Sequence, residues 1–133
     1  MKAAIRIAEI KDFEEAVEVI RNEQVETTQR LVIKGKQQKY DDILEENIEV
    51  DMYFNFWDTQ AYEAHRNLNV GDYVYIPDYT EKIAPPSEQY QTSIVFRAVK
   101  NWVKITEDKF KQVVKKLNAT DLNLDVSKID VPF

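Results

Sequence analysis

The sequence predicts a mostly β domain: a small five-stranded barrel with a short helix between its third and fourth strands and a second helix at the C-terminal end. Much of the chain alternates between apolar and polar residues, which is the period of a half-buried strand. Two other stretches have the apolar spacing of a helix face. With 133 residues, 44% of them hydrophobic, the chain fits one domain with a compact core.

The first predicted strand covers residues 4–10, which alternate regularly. Residues 12–22 are ambiguous, because apolar residues at helical spacing overlap with the strand-like alternation of Val17 and Val19. We favour a long, bent first strand that continues into a hairpin. A helix over the same residues is the alternative.

Residues 27–35 form the second predicted strand and residues 50–57 the third. The third strand has the clearest pattern, because Met52, Phe54 and Phe56 point to one side and the residues between them to the other. The first set is therefore expected to fill the core, and the second set to lie outside it.

A short helix is predicted over residues 60–68, followed by a tight turn and a fourth strand over residues 73–76. Pro77 is expected to end that strand, since proline cannot donate a hydrogen bond to a ladder. Residues 77–89 then form a loop, and residues 91–105 a fifth strand rich in valine, isoleucine and aromatic residues.

The chain ends in a predicted helix over residues 106–118 and a flexible tail over residues 119–133, so residues 1–105 form the barrel domain. Three strands, a helix and two strands is the order of an OB-fold, a partly open five-stranded barrel. An immunoglobulin-like sandwich would need about seven strands and no central helix.

The net charge of −6 alone argues against nucleic-acid binding, which needs lysine and arginine for the phosphates. The charges are unevenly placed, however: residues 30–40 contain four basic residues and no acid, and residues 97–104 are also basic. A positive groove on an acidic body is therefore possible. The chain has no cysteine, no apolar run of transmembrane length and no secretion signal, so we expect a cytoplasmic protein.

The stretch FWDTQAYEAHRNLNVGDYVYI, residues 56–76, resembles the middle of the bacterial and phage single-stranded DNA-binding proteins. In that family an aromatic residue ends a strand, and a short helix, a Gly-Asp or Gly-Ser turn and a Val-Tyr-Ile-like strand follow. Residues 90–96, YQTSIVF, resemble the family's last strand, and the terminal Asp-Val-Pro-Phe resembles its C-terminal tip.

The chain departs from this family in three places. Acidic residues crowd the first strand where turn residues and glycine are usual, the last strand runs into a helix, and the tip has a single acid next to Val-Pro-Phe. These departures suggest a diverged member, borne by a phage or a plasmid.

The resemblance implies sequence-non-specific binding of single-stranded DNA in replication, recombination and repair, by a homodimer or homotetramer. Aromatic rings would stack on bases while cations contact phosphates. Trp57 matches the family's aromatic position and lies outside the predicted core; its alternative role is packing against the helix or a second subunit. The DNA-binding candidates are Trp57, Tyr53, Lys34, Lys36, Lys39, Tyr40, Tyr79, Tyr90, Arg97 and Lys100.

The resemblance also implies that the C-terminal tip recruits replication or recombination proteins. Phe133 would enter an apolar pocket of the partner, while the terminal carboxylate and an acid meet basic residues at the rim. The partner-binding candidates are Asp130, Val131, Pro132 and Phe133.

No enzyme, metal or cofactor is expected. His65 is the single histidine, so a two-histidine metal site is impossible, and no nucleophile motif supports a catalytic triad around it. Two other functions are kept open. One is an OB-fold module that binds proteins without DNA, which the acidic charge favours, and the other is a barrel with a small-ligand site.

Overall fold

The computed structural model describes residues 1–86, 88 and 92–121, the last three of them as helical backbone alone. Six strands and two helices lie in this part of the chain. In order they are β1 (Ala3–Ile10), β2 (Glu14–Arg21), β3 (Gln24–Asp41), β4 (Glu46–Trp57), α1 (Thr59–Asn67), β5 (Tyr73–Ala84), β6 (Ile94–Ile105) and α2 (Glu107–Asp121).

Five of the strands form a closed ring of pairings in the order β1, β5, β6, β4, β3 and back to β1. All of these pairings are antiparallel except that of β4 with β6, which is parallel and has a single bridge between Asn55 and Ala98. β2 extends the sheet beyond the ring by pairing with β3. The ring is therefore joined most weakly between β4 and β6.

The prediction of five strands is wrong by one, because the expected long first strand is divided into β1 and β2. The strand interpretation of residues 12–22 is confirmed for Glu14–Arg21, and the helix alternative is wrong. Both halves pair with β3, but the register shifts between Ile7 and Glu9 and again between Glu14 and Val17. These irregularities bend the chain, so that one long partner strand serves both halves.

β5 runs past Pro77, so the expectation that this proline ends the strand and opens a loop is wrong. The register between β5 and β6 shifts between Tyr75 and Asp78, which places Pro77 at a bulge. A bulge leaves a residue outside the ladder, and proline is tolerated there because its missing N–H is not needed.

The hairpin of β3 and β4 is also longer than predicted. β3 spans 18 residues, and its pairing with β4 runs without interruption from Arg30 opposite Trp57 to Asp41 opposite Glu46. The added part is polar, and polar residues on both faces hid the strand from an analysis of apolar alternation. The two helices lie within a few residues of their predicted positions, but α2 continues to Asp121, so the prediction that a flexible tail begins at residue 119 is wrong for its first three residues. The rest of the predicted tail lies outside the described residues.

The main core lies inside the ring and contains eight large, fully buried apolar side chains of β1, β3, β4 and β5. They are Ile5, Ile7, Leu31, Ile33, Phe54, Phe56, Val74 and Ile76. α2 packs on the outside of β1 and β5 through Phe110, Val113 and Val114. This helix covers Ala4 and Tyr75, which point away from the main core.

Gly35 of β3 lies close against Ile5 of β1. A Cβ at this position would lie 2.6 to 2.9 Å from three side-chain atoms of Ile5, one of them its Cβ. Because a Cβ is fixed to the backbone, no rotamer change relieves the contact.

We predict that Gly35→Ala lowers the free energy of unfolding by about 1–3 kcal/mol, since the strands must separate to admit the methyl group. The measurement is urea unfolding followed by circular dichroism. Gly71→Ala is the control. Gly71 has a φ of 96°, and a Cβ added there would have nothing within 4 Å. This variant therefore measures the cost of backbone strain, about 1 kcal/mol, without a steric clash. Wild-type stability for Gly35→Ala would contradict the close approach.

Candidate nucleic-acid interface

The outward side of β3 and β4, here called the β3–β4 face, carries polar, basic and aromatic side chains. It arises because the alternate residues of both strands enter the core. On this face, four residues of β3 lie directly opposite four residues of β4 in the antiparallel register. The pairs are Arg30 with Trp57, Val32 with Asn55, Lys34 with Tyr53, and Lys36 with Asp51.

Two of these cross-strand pairs join a cation to an aromatic ring. The guanidinium of Arg30 lies 5.6 Å from the ring centre of Trp57. Lys34 lies opposite Tyr53, which is 42% exposed. Lys11 also lies over the ring of Tyr53, with its Nζ 6.0 Å from the ring centre. The face therefore presents two rings on one strand, each with a positive charge beside it.

Trp57 also lines a groove of about 380 Å³, here called the Trp57 groove. The end of β2 forms one wall, and β6 with the start of α1 forms the other. The lining residues are Val19, Ile20, Arg21, Trp57, Asp58, Gln60, Ala98, Val99 and Lys100.

Asp58 fixes the β2 wall of this groove. It has a positive φ of 58° and turns the chain from β4 into α1. Its carboxylate accepts two hydrogen bonds from the Arg21 guanidinium, at 3.2 and 3.1 Å, and another from the Thr28 hydroxyl. The Thr28 bond, and after it the Arg21 contacts, hold the pKa of Asp58 below its usual value.

Carboxylates neutralise the basic side chains of the β3–β4 face. Arg30 forms a two-point ion pair with Glu14, at 2.5 and 3.0 Å. Asp51 binds Lys36 at 2.6 Å and Lys34 at 3.5 Å. These hydrogen bonds, above all those from Arg30 and from Lys36, lower the pKa of Glu14 and of Asp51 respectively. Both carboxylates are therefore ionised at neutral pH.

The remaining predicted residues lie in different places. Lys39 and Tyr40 are exposed near the end of β3, along the same hairpin. Lys100 is exposed and lines the Trp57 groove, and it has no carboxylate partner among the described residues. Arg97 lies over the core ring of Phe54, is only 17% exposed and binds Glu81 at 3.0 Å, so it is not part of the β3–β4 face.

Tyr79 is a correction to the predicted set. It is 4% exposed and packs edge-on against Phe54 with 5.2 Å between ring centres. A ring buried in this way cannot stack on a base, because both of its sides face the core. Tyr90 and the tip residues Asp130, Val131, Pro132 and Phe133 lie outside the described residues.

Sequence reasoning missed Arg30, Lys11 and Arg21. Arg30 was detectable, because it shares the strand period with Lys34 and Lys36, but the start of the pairing with β4 was not known. Lys11 and Arg21 depend on the fold of β1 and β2 around β3. Two other aromatic groups pack against neighbouring rings: half-buried Trp102 is edge-on to the core ring of Phe56, and exposed His65 stacks on half-buried Phe13.

No group of three or more potential metal ligands is found among the described side chains. Neither helix in the described part of the chain is long and apolar enough to cross a membrane.

The chain also resembles solved structures of other proteins. The chain is similar to the crystal structure of a small single-stranded DNA-binding protein from Streptomyces coelicolor, with 14% sequence identity and a TM-score of 0.43. The match covers 81% of this chain and 94% of the other. No protein-family model matches the sequence, and no curated protein does.

We predict that acid loosens the hairpin of β2 and β3. The pKa of Asp58 is lowered in the folded state, so its stabilising contribution is present above the unfolded pKa, near pH 4, and is lost as pH falls through the folded value. Amide hydrogen exchange of residues 17–28 should therefore accelerate, relative to the rest of the sheet, as pH falls below about 4.

Asp58→Asn is the matched variant, since asparagine tolerates positive φ and still accepts a hydrogen bond. It should show faster hairpin exchange at neutral pH and a weaker dependence on acid. Equal acid dependence in the variant and the wild type would contradict the role of Asp58.

Proposed function

We propose that this protein binds single-stranded DNA without sequence preference, using the β3–β4 face and the adjoining Trp57 groove. The observation that carries the proposal is the pairing of Trp57 with Arg30 and of Tyr53 with Lys34, in direct register on two neighbouring strands. Sequence-tolerant binding of single strands needs this combination, because every base can stack on a ring and every phosphate attracts a cation.

We further propose that residues 1–105 form an OB-fold. In chain order the ring strands are β1, β3, β4, β5 and β6, and α1 lies between the third and the fourth of them. This is the order of the five-stranded OB barrel, and β2 is then an extension of its first strand. OB-folds of this kind bind single strands across the face of their second and third strands, which here are β3 and β4.

The two rings are separated by four residues along β4, or about 13 Å, with Asn55 between them. The DNA strand would cross the face from Tyr53 toward Trp57 and enter the groove beside Lys100. Lys39 and Tyr40 would contact the strand beyond Tyr53, where the hairpin of β3 and β4 continues. Arg97 is not part of this path because it lies over the core ring of Phe54, and Tyr79 is not part of it because it is buried in the core.

The ion pairs on the face shape the expected affinity. Phosphates must compete with Glu14 for Arg30 and with Asp51 for Lys34 and Lys36. Binding should then depend more on stacking than on charge, with few net phosphate contacts. The dependence of affinity on salt should be shallow, since its slope is about −0.7 for each phosphate neutralised on a single strand.

We also propose that the tip from Asp130 to Phe133 recruits proteins of replication, recombination or repair, and that the protein acts in the cytoplasm as a homo-oligomer. The support is the sequence of the tip itself, an acid and an apolar residue before a terminal Pro-Phe. The apolar ring of Phe133 near the carboxylate of Asp130 fits an apolar pocket with a basic rim.

A module that binds proteins without DNA is the second candidate function. The neutralised cations favour it, because Glu14, Asp51 and Asp58 bind the basic side chains that would otherwise contact phosphates. The two candidates differ in one measurable property: only the first requires affinity for an oligonucleotide.

The experiment is a fluorescence titration with oligo-dT in a Trp102→Phe background, so that Trp57 is the single tryptophan. We expect strong quenching as bases stack on Trp57. Separately, Trp57→Ala should weaken binding about five- to 150-fold, measured by anisotropy of labelled oligo-dT. Wild-type affinity for Trp57→Ala would remove Trp57 from the site, and no binding at low salt would favour the protein-binding module.

We predict that Asp51→Asn strengthens binding up to about fivefold, because it frees Lys34 and Lys36 from their shared carboxylate. The salt dependence of binding should also steepen, by about 0.7 in slope for one added phosphate contact. Anisotropy of labelled oligo-dT at several salt concentrations measures both effects.

Asp108→Asn is the control for Asp51→Asn. It makes the same substitution at an exposed residue of α2 that does not line the groove shared by Glu107 and Lys36. An equal gain in both variants would mean that overall charge, and not the release of the two lysines, explains the effect.

A further inference from the structure

Among the described residues, no strand lies beside one edge of β6 between Lys100 and Lys104. β4 joins β6 through the single bridge of Asn55 with Ala98, and two residues later β4 ends at Trp57. The positive φ of Asp58 then turns the chain into α1, while β6 continues to Ile105. We call residues 100–104 the β6 edge.

The backbone groups of Trp102 and Lys104 point out of the ring at this edge. Ile7 exchanges hydrogen bonds with the segment before β5, donating to the Asp72 carbonyl and accepting from the Gly71 amide. By the alternation of an antiparallel ladder, Val74 therefore turns its backbone groups toward β1. Lys104, which is opposite Val74, then points its own groups away from β5, as does Trp102 two residues earlier.

One group at the edge already has a side-chain partner. The Gln60 amide on α1 donates a hydrogen bond of 2.7 Å to the Lys100 carbonyl. For the backbone groups of Trp102 and Lys104, the described part of the chain offers no ladder partner on this side. Unpaired strand edges of this kind are templates for a further strand.

A groove of about 390 Å³ runs along the β6 edge. Five consecutive residues of β6 line it, together with two of α1. Since neighbouring residues of a strand point to opposite faces, a groove lined by five in a row must follow the backbone itself. The lining residues are Gln60, Glu63, Lys100, Asn101, Trp102, Val103 and Lys104.

The edge is locally basic although the chain carries a net charge of −6. Lys100 and Lys104 stand at its two ends, and β6 contributes no acid between them. Glu63 is the single acid among the groove-lining residues. Lys100 has no carboxylate partner in the described part of the chain. Lys104 forms an ion pair with Asp72, with 3.3 Å between its Nζ and the carboxylate oxygen.

We propose that the β6 edge binds an extended segment of a partner protein with acidic side chains, which adds to the sheet as a strand beside β6. The backbone of the segment pairs with Trp102 and Lys104, and its acids meet Lys100 and Lys104. Main-chain hydrogen bonds supply the affinity in this mode, and side chains supply the choice of partner.

A peptide fits this edge better than a nucleic acid does. The edge offers both donors and acceptors, since each exposed residue presents an N–H and a C=O. The sugar–phosphate backbone of DNA has no hydrogen-bond donor, so a DNA strand bound along this edge through its backbone would leave the carbonyls of Trp102 and Lys104 without donors. An extended peptide supplies both kinds of group at the spacing of a strand.

The test is amide chemical-shift mapping of the whole protein with an acidic probe, the capped peptide Asp-Val-Asp-Val-Asp-Val-Asp. We expect the amides of Trp102 and Lys104 to shift and to exchange more slowly. The matched peptide with lysine in place of aspartate should cause no such change. Absence of shifts at the β6 edge, with the acidic peptide at millimolar concentration, would overturn the proposal.

Lys104→Pro removes the N–H that points into the groove and leaves the bonds of Val103 with β5 intact. It should weaken binding of the acidic peptide about tenfold or more. Lys104→Gln is the control, which removes the same charge but keeps the N–H, and it should cost about threefold or less. Equal losses in the two variants would overturn strand addition in favour of simple charge attraction.

Two further measurements keep the proposal distinct from DNA binding. Circular dichroism and the amide spectrum establish that Lys104→Pro is folded; if it is not, the wild-type shift map decides alone. Titration with oligo-dT should move amides around Trp57 and Tyr53 and leave those of Trp102 and Lys104 unchanged. Oligo-dT shifts at the β6 edge that match those of the acidic peptide would assign this edge to the DNA site and overturn the proposal.

Discussion

Asp58 stands at the junction of all the surfaces described above. Its positive φ ends β4 and starts α1, and its carboxylate holds Arg21 and Thr28 of the neighbouring hairpin. The first property leaves the edge of β6 opposite β5 without a partner strand beyond Ala98 in the described part of the chain. The second holds the hairpin of β2 and β3 next to Trp57, where the end of β2 forms a wall of the groove. A residue in a conformation that L side chains rarely adopt persists only when several contacts fix it, and here the ion pair and the hydroxyl do so.

The β3–β4 face combines two features with opposite consequences for function. Its rings and cations are arranged in register as a single-strand binder requires, yet its carboxylates already occupy those cations. An exposed ion pair is worth little, typically below about 1 kcal/mol, so a phosphate can displace a carboxylate at small cost. A stacked base gains about 1–3 kcal/mol. On these magnitudes stacking outweighs the competition, which is why we place DNA binding ahead of protein binding for this face.

The sequence predicted the mostly β class, the helix between strands and the outward position of Tyr53 and Trp57, because these depend on local period alone. It failed where distant contacts decide. Pro77 continues a strand because a bulge there needs no N–H, and Tyr79 beyond it is thereby carried into the core against Phe54. Local pattern also could not show that Asp51 lies between Lys34 and Lys36, since that contact depends on the register of β3 with β4.

The two proposed binding surfaces meet at α1 and β6. Gln60 and Lys100 line both the Trp57 groove and the groove along the β6 edge. Lys100 is also the cation in both grooves that no described carboxylate neutralises. A phosphate in the first groove and an acidic side chain at the second would therefore draw on the same ammonium group. Because one cation cannot be fully paired with two anions in different grooves, DNA and the acidic segment should weaken each other's binding, and this antagonism should be lost when Lys100 is replaced by glutamine.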